Sequence, residues 1–160
     1  MEAFGYKDEL TENGAPLRNA LQLIAFSIGE QTYGVEITTV REIRAWNGAT
    51  PLPNTRDYVR GVINLRGTIV PIFDLRARFG EGQTLPTKSH VVVVMSVGEK
   101  WVGVLVDAVK DILTIDKDDI HAVPDGNSVD MDLLKGIITH DNRMVGLIDL
   151  QAVVSGSRVE

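Results

Sequence analysis

The sequence predicts a mainly β chain folded as two small closed barrels packed together, and three observations carry that prediction. One supersecondary unit is written twice. Residues 27–43, SIGEQTYGVEITTVREI, align without gaps on 96–112, SVGEKWVGVLVDAVKDI, at an offset of 69 and with seven of 17 positions identical. A second block, YVRGVINLRGTIVPIFDL at 58–75, aligns on LLKGIITHDNRMVGLIDL at 133–150, keeping Gly61/Gly136, Ile63/Ile138, Val70/Val145, Asp74/Asp149 and Leu75/Leu150. Two copies make a pseudo-symmetric pair, since an open solenoid needs more repeats. The apolar runs are also short and rich in β-branched residues, and tight-turn signals separate them.

The elements follow in order. LIAFSI (23–28) and VVVVMSV (91–97) read as strands. Gly29-Glu30 and Gly98-Glu99 turn the chain into TYGVEI and WVGVLV, as hairpins. Thr38 and its mate Asp107 suit the N-cap of a brief helical turn. The second block forms another hairpin, with its tip at Leu65-Arg66-Gly67-Thr68 in one copy and His140-Asp141-Asn142-Arg143 in the other. Gly and Asn tolerate the left-handed φ of such tips. Pro71, mated with Gly146, suits a bulge or bend inside its strand. Asp74 and Asp149 each precede a short helical stretch as N-caps. GEGQTLPTKS (80–89) has the composition of a boundary, and the copies divide at 21–86 and 87–155, between flexible tails at 1–20 and 156–160.

Composition narrows the function. The 160 residues carry 16 basic and 22 acidic side chains, a net charge of −6, which opposes sequence-independent nucleic-acid binding. Without cysteine there are no disulfides or thiolate metal sites. No apolar run is long enough to span a bilayer, and the first residues lack a signal peptide's apolar core. A cytosolic setting is expected.

The usual catalytic patterns are missing. His90, His121 and His140 lack ligand spacing. Gly80-Glu81-Gly82-Gln83-Thr84 lacks the Gly-Lys-Ser/Thr ending of a phosphate loop. Asp116-Lys117-Asp118-Asp119 and Asp125-Gly126-Asn127-Ser128 do not follow calcium-loop order, and no serine sits in a nucleophile elbow. An enzyme is not expected, nor a metal or other cofactor.

Arg66 is the informative residue. Its repeat mate is Asp141, so one tip exposes a guanidinium where the other exposes a carboxylate. An arginine at a rigid tip is either a solvated turn residue or a docking fork with five donors. GVINLRGTIVPIFDLRARF, with YGVEITTVREI upstream and VGVLVDAVKDIL downstream, closely resembles the CheW chemotaxis coupling proteins over about 135 residues, Leu21 to Val154. The resemblance implies two five-stranded Src-homology-3-like β-barrels around a shared hydrophobic core, with short helical turns. It implies a non-catalytic adaptor joining the cytoplasmic tips of methyl-accepting chemoreceptors to the histidine kinase CheA, recruited to arrays at the inner face of the membrane without inserting in it. Receptor contacts are implied at Val40, Glu42, Ile43, Arg66 and Ile112. Kinase contacts are implied on the second barrel's strands at Val92, Gly103 and Val109, against the kinase's own CheW-like regulatory domain.

Each position also has a structural reading. Glu42 could complete a capping box with Thr39. Val40, Ile43, Val109 and Ile112 recur in both copies and read equally as core. Gly103 matches Gly34, as strand geometry would require, and Trp46 is either a core or an interface anchor. The second function class weighed is a small-barrel nucleic-acid binder, which the acidic charge and sparse aromatics oppose.

Overall fold

A computed structural model describes residues 19–124 and 132–155. The expected tails lie outside these residues, apart from Asn19 and Ala20, and so does the Asp125–Ser128 run. The first copy runs through β1 (Ala20–Ile28), β2 (Gln31–Glu36), β3 (Val40–Ala45), β4 (Val59–Leu65), β5 (Thr68–Asp74) and a short helix α1 (Leu75–Arg78). The second gives β6 (Val91–Val97), β7 (Lys100–Val106), β8 (Ala108–Asp116), β9 (Leu134–His140), β10 (Arg143–Ile148) and α2 (Leu150–Val154).

The strands form two five-stranded mixed sheets, ordered β8-β1-β2-β10-β9 and β3-β6-β7-β5-β4. Exchanging each strand for its repeat mate converts one order into the other. Each sheet therefore combines the leading hairpin of one copy with the last three strands of the other. Sheet membership does not follow the expected division between 21–86 and 87–155, because the two halves trade hairpins. The crossovers explain why. A three-residue 3-10 turn, Ile37–Thr39, separates β2 from β3, and its flanking residues Glu36 and Val40 are both extended. Asp107 alone separates β7 from β8. Neither link carries the left-handed pair that reverses a hairpin, so the chain runs on into the other sheet.

Each sheet closes on itself through one extra bridge. Beyond β3, Thr50 exchanges backbone hydrogen bonds with Val62 of β4, at 2.8 and 2.9 Å. Beyond β8, His121 does the same with Ile137 of β9, also at 2.8 and 2.9 Å. Val62 and Ile137 are repeat mates. The paired glycines beside them serve this closure: a Cβ on Gly61, whose φ is +135°, would stand 2.2 Å from the Thr50 carbonyl oxygen, and one on Gly136 would stand 2.4 Å from Ile120 Cγ2.

Strand alternation fills three cores. Leu23, Ala25, Leu113, Ile138 and Leu147 fill the first barrel, and Leu65, Val70, Ile72, Val92, Val94 and Leu105 fill the second. Between them lies a shared core built from Phe26, Phe73, Leu75, Val93, Met95 and Val153, among others. The unbroken VVVV run of β6 follows from this arrangement: Val92 and Val94 point into a barrel, while Val93 and Met95 point into the shared core.

Asp74 and Asp149 cap their helices as expected, accepting from Ala77 N and Ala152 N. The caps predicted at Thr38 and Asp107 are not found. Thr38 lies inside the 3-10 turn. Asp107 precedes a strand, and its carboxylate accepts from the Gly29 N–H at 2.7 Å and the Arg76 guanidinium at 2.8 Å. That position lets it pin the crossover to the β1–β2 turn. Asp116 caps a second 3-10 turn by accepting from Asp118 N at 2.8 Å, so this acidic run orders backbone.

Pro71 makes no bulge; the register shift falls in β4 between Val59 and Gly61, opposite Phe73 and Ile72, while Pro71 itself pairs with Val62. Its effect is on the parallel ladder instead. In the first sheet β10 meets β2 from Val145↔Thr32 onward. In the second, β5 and β7 keep the same register but pair only from Ile72↔Gly103, because Pro71 has no N–H to donate. The starts of β5 and β7, paired in their own hairpins but not with each other, leave a groove of about 840 Å³ at the side of Ile69 and Trp101. The mate groove beside Met144 measures about 220 Å³.

Candidate functional site

The site is the seam where the second barrel closes, between β3 and the β4–β5 turn. Arg66 and Gly67 form that turn with φ of 52° and 93°, the left-handed pair a two-residue hairpin requires. The Asn64 side chain fixes the turn by accepting from Gly67 N at 2.7 Å. Arg66 therefore holds a backbone conformation that costs a non-glycine residue roughly 1–2 kcal/mol. Its side chain is 70% exposed, and the guanidinium donates to Glu42 Oε1 at 2.8 Å. Arg44 stands 3.5 Å from the other oxygen of the same carboxylate. The Arg66 hydrogen bond, reinforced by both positive charges against partial desolvation, holds the Glu42 carboxyl below its ordinary range. The capping-box reading of Glu42 fails, since Glu42 lies within β3 and Thr39 donates to the Glu36 carbonyl instead.

The predicted receptor residues split between two surfaces. A register shift between Val40 and Glu42 places Glu42 opposite Val94 and Arg44 opposite Val92, on the barrel-facing side of β3. Val40 and Ile43 lie opposite Met95 and Val93, on the side facing the other sheet. Ile112 and Val109, in β8, take the corresponding side of the first sheet opposite Ile24 and Phe26. Val40 and Val109 pack on the shared core, whereas Ile43 and Ile112 are 42% and 46% exposed at its margins. These residues thus form one polar cluster and one pair of apolar rims.

The predicted kinase residues do not share a sheet. Val92 and Gly103 belong to the second sheet and Val109 to the first. Val92 is buried, and a Cβ on Gly103 would stand 2.6 Å from Ile72 Cδ1 and 2.9 Å from Val92 Cγ1. The first two therefore shape the barrel wall from inside. Trp46, open between two readings in the sequence, packs partly on the second barrel's core and also lines the cleft beside Arg66.

Sequence reasoning missed two groups. The interval 80–89 is clamped at Thr84, whose N–H and hydroxyl donate to Asp74 at 2.8 and 2.7 Å, while Arg60 donates to the Thr84 carbonyl. The Asp74 N-cap was legible, but its second role was not, because Thr84 has no repeat mate. Lys88, from the same interval, reaches the Arg66 cleft.

At the mate seam Asp111 and Asp141 replace Glu42 and Arg66, in a cleft shared with Lys110, His140 and Arg143. Among the described residues no group of three or more His, Cys, Asp or Glu converges as a metal site, and no helix is long and apolar enough to cross a membrane.

Comparison with known proteins supplies the context. The family described as the CheW-like domain matches residues 22–158. A probable chemotaxis protein CheW of Rhizobium etli is 46% identical over 140 residues, covering 87% of this chain and 90% of that protein. Chemotaxis protein CheW of Rhizobium meliloti is 45% identical, covering 82% and 86%. The crystal structure of the scaffolding protein TtCheW from Thermoanaerobacter tengcongensis superposes with a TM-score of 0.80 at 30% identity, covering 89% of this chain and 94% of that one.

Proposed function

Because the chain belongs to the CheW family of non-catalytic chemotaxis coupling and scaffolding proteins, we propose that it bridges a methyl-accepting chemoreceptor tip and the histidine kinase CheA in the cytoplasm. The observation carrying this reading is Arg66: a 70% exposed guanidinium, held in place by Glu42, on a left-handed, strained backbone. Strain kept at a turn where Asn or Gly would relax it fits a role in recognition.

In this reading the receptor helix contacts Arg66 and Glu42 at the seam, and the apolar rim of Val40 and Ile43 supports its ridge. Ile112 offers the matching rim on the first sheet. The kinase regulatory domain, itself CheW-like, packs against the strands whose barrel wall Val92 and Gly103 shape, and Val109 backs its contact on the first sheet from the shared core. Signalling then needs no chemistry in the adaptor. A shift in the receptor changes the contacts that the adaptor makes in each kinase state, and kinase populations follow.

The test is a pull-down from purified components, using a chemoreceptor signalling fragment and CheA separately and together. Retention of both in one ternary complex is expected. Binding of neither would end the proposal, and stoichiometric binding of single-stranded DNA would favour the nucleic-acid reading.

A further inference from the structure

We propose that Arg44, Trp46 and Lys88 extend the Arg66 position into a subsite for an acidic stretch of the docked partner, with Lys88 as a specificity-determining cation. The inference rests on the reading that this seam docks a partner helix, and names the chemistry of that partner.

The charge balance carries it. Arg44, Arg66 and Lys88 line one cleft of about 580 Å³, and Glu42 is the sole acid among its lining residues. Glu42 already accepts from Arg66 and faces Arg44, so about two positive charges are left uncompensated. This occurs in a chain whose net charge is −6. A local cationic excess on an acidic protein selects for carboxylates, through orientation and on-rate more than through affinity.

Lys88 is also presented in a built turn. Thr87 N–H donates to His90 Nδ1 at 3.0 Å, Ser89 N–H to Thr87 Oγ1 at 3.2 Å, and His90 N–H to the Thr87 carbonyl at 3.1 Å. Trp46 N–H then donates to the His90 carbonyl at 2.9 Å, tying this turn to the end of β3. Such preorganisation lowers the entropy cost of binding. Lys88 has no ion-pair partner among the described residues. Trp46 rests on the second barrel's core and turns its remaining surface to the cleft, where it suits an apolar side chain between the acids. The mate seam cannot substitute, because Asp111 and Asp141 stand there and Lys88 has no counterpart. Three cations beside a single aromatic fall short of the basic stripe with stacked bases that a nucleic acid needs.

The test uses the full chain and a chemoreceptor signalling fragment, titrated at low and high salt, with melting followed for each variant. Lys88→Glu and Arg44→Glu are each expected to weaken binding about 5-fold or more at low salt, to flatten the salt dependence, and to leave Lys88→Glu melting as wild type. Changing surface glutamates of the fragment to glutamine should remove the difference between wild type and Lys88→Glu. If wild type binds but Lys88→Glu matches it in affinity and salt slope, the subsite is wrong and the docking reading survives. If wild type does not bind the fragment at all, both fall. Displacement of the fragment by single-stranded DNA would overturn the choice of carboxylate.

Discussion

Arg66, at the tip of the β4–β5 turn, donates to Glu42 of β3 at 2.8 Å and so ties the two margins of the second barrel together beside the Thr50–Val62 bridge. An exposed ion pair of this kind contributes little stability, about 0–1 kcal/mol. Its consequence is orientation: the guanidinium is aimed along the seam before any partner arrives.

Arg66→Asn should separate folding from docking. Asn accepts the left-handed φ of 52°, which offsets the lost pair, so stability is expected within about 1 kcal/mol of wild type in a denaturant titration. Receptor-fragment binding should fall about 10-fold or more. A large loss of stability would return Arg66 to a structural role.

Gly103→Ala should overpack the second barrel, costing about 1–3 kcal/mol. The tighter of two clashes lies with Ile72 Cδ1, 2.6 Å from the added Cβ, and Ile72→Val removes that atom while Val92 Cγ1 stays at 2.9 Å. The double variant should therefore be about 1 kcal/mol more stable than additivity allows. Additive losses in denaturant melts would count against the clash. Gly103→Asp should unfold this barrel, so any loss of kinase binding must track circular dichroism.

Asp107→Asn probes the crossover. Partial burial alone would raise this carboxyl's pKa, but the Gly29 N–H and the Arg76 guanidinium outweigh it and hold the group below its ordinary value. A depressed folded pKa means the stabilisation is full above the ordinary carboxylate range and is lost as pH falls through the lower folded value. The variant should lose about 1–3 kcal/mol near neutral pH. Melts repeated in acid should show that gap closing, and a gap that stays constant with pH would refute the assignment.

Pro71→Ala restores a donor to β5. The β5–β7 ladder should then extend toward Val70 and Trp101, as β10–β2 already does at Val145 and Thr32, and the adjoining groove should narrow. Slower amide exchange at the start of β7 is the expected sign. Unchanged exchange there would mean that something other than the missing N–H keeps the strands apart.

Much of the fold was legible because it is local. Hairpin tips and the Asp74 and Asp149 caps each answer to backbone geometry within a few residues, and the duplication marks them twice. Val40, Glu42 and Ile43 were legible as a set but not as surfaces. A single register shift in β3 changes which face each residue takes, and period-2 alternation carries that change along the strand. Thr84 and Lys88 lay in an interval without a repeat mate, so nothing in their spacing signalled a buried clamp or a cleft cation.

By itself the sequence determined that this chain is a doubled β unit with diverged tips, and its motif marked the family. Only the tertiary structure decided that the two copies trade hairpins, and that Glu42, Arg44, Arg66, Trp46 and Lys88 meet at one seam. Turns and caps are set by short-range sterics and hydrogen bonds that neighbouring residues record. Strand exchange and seam composition depend on which distant edges close on each other, and that is settled by burial of the shared core over the whole chain.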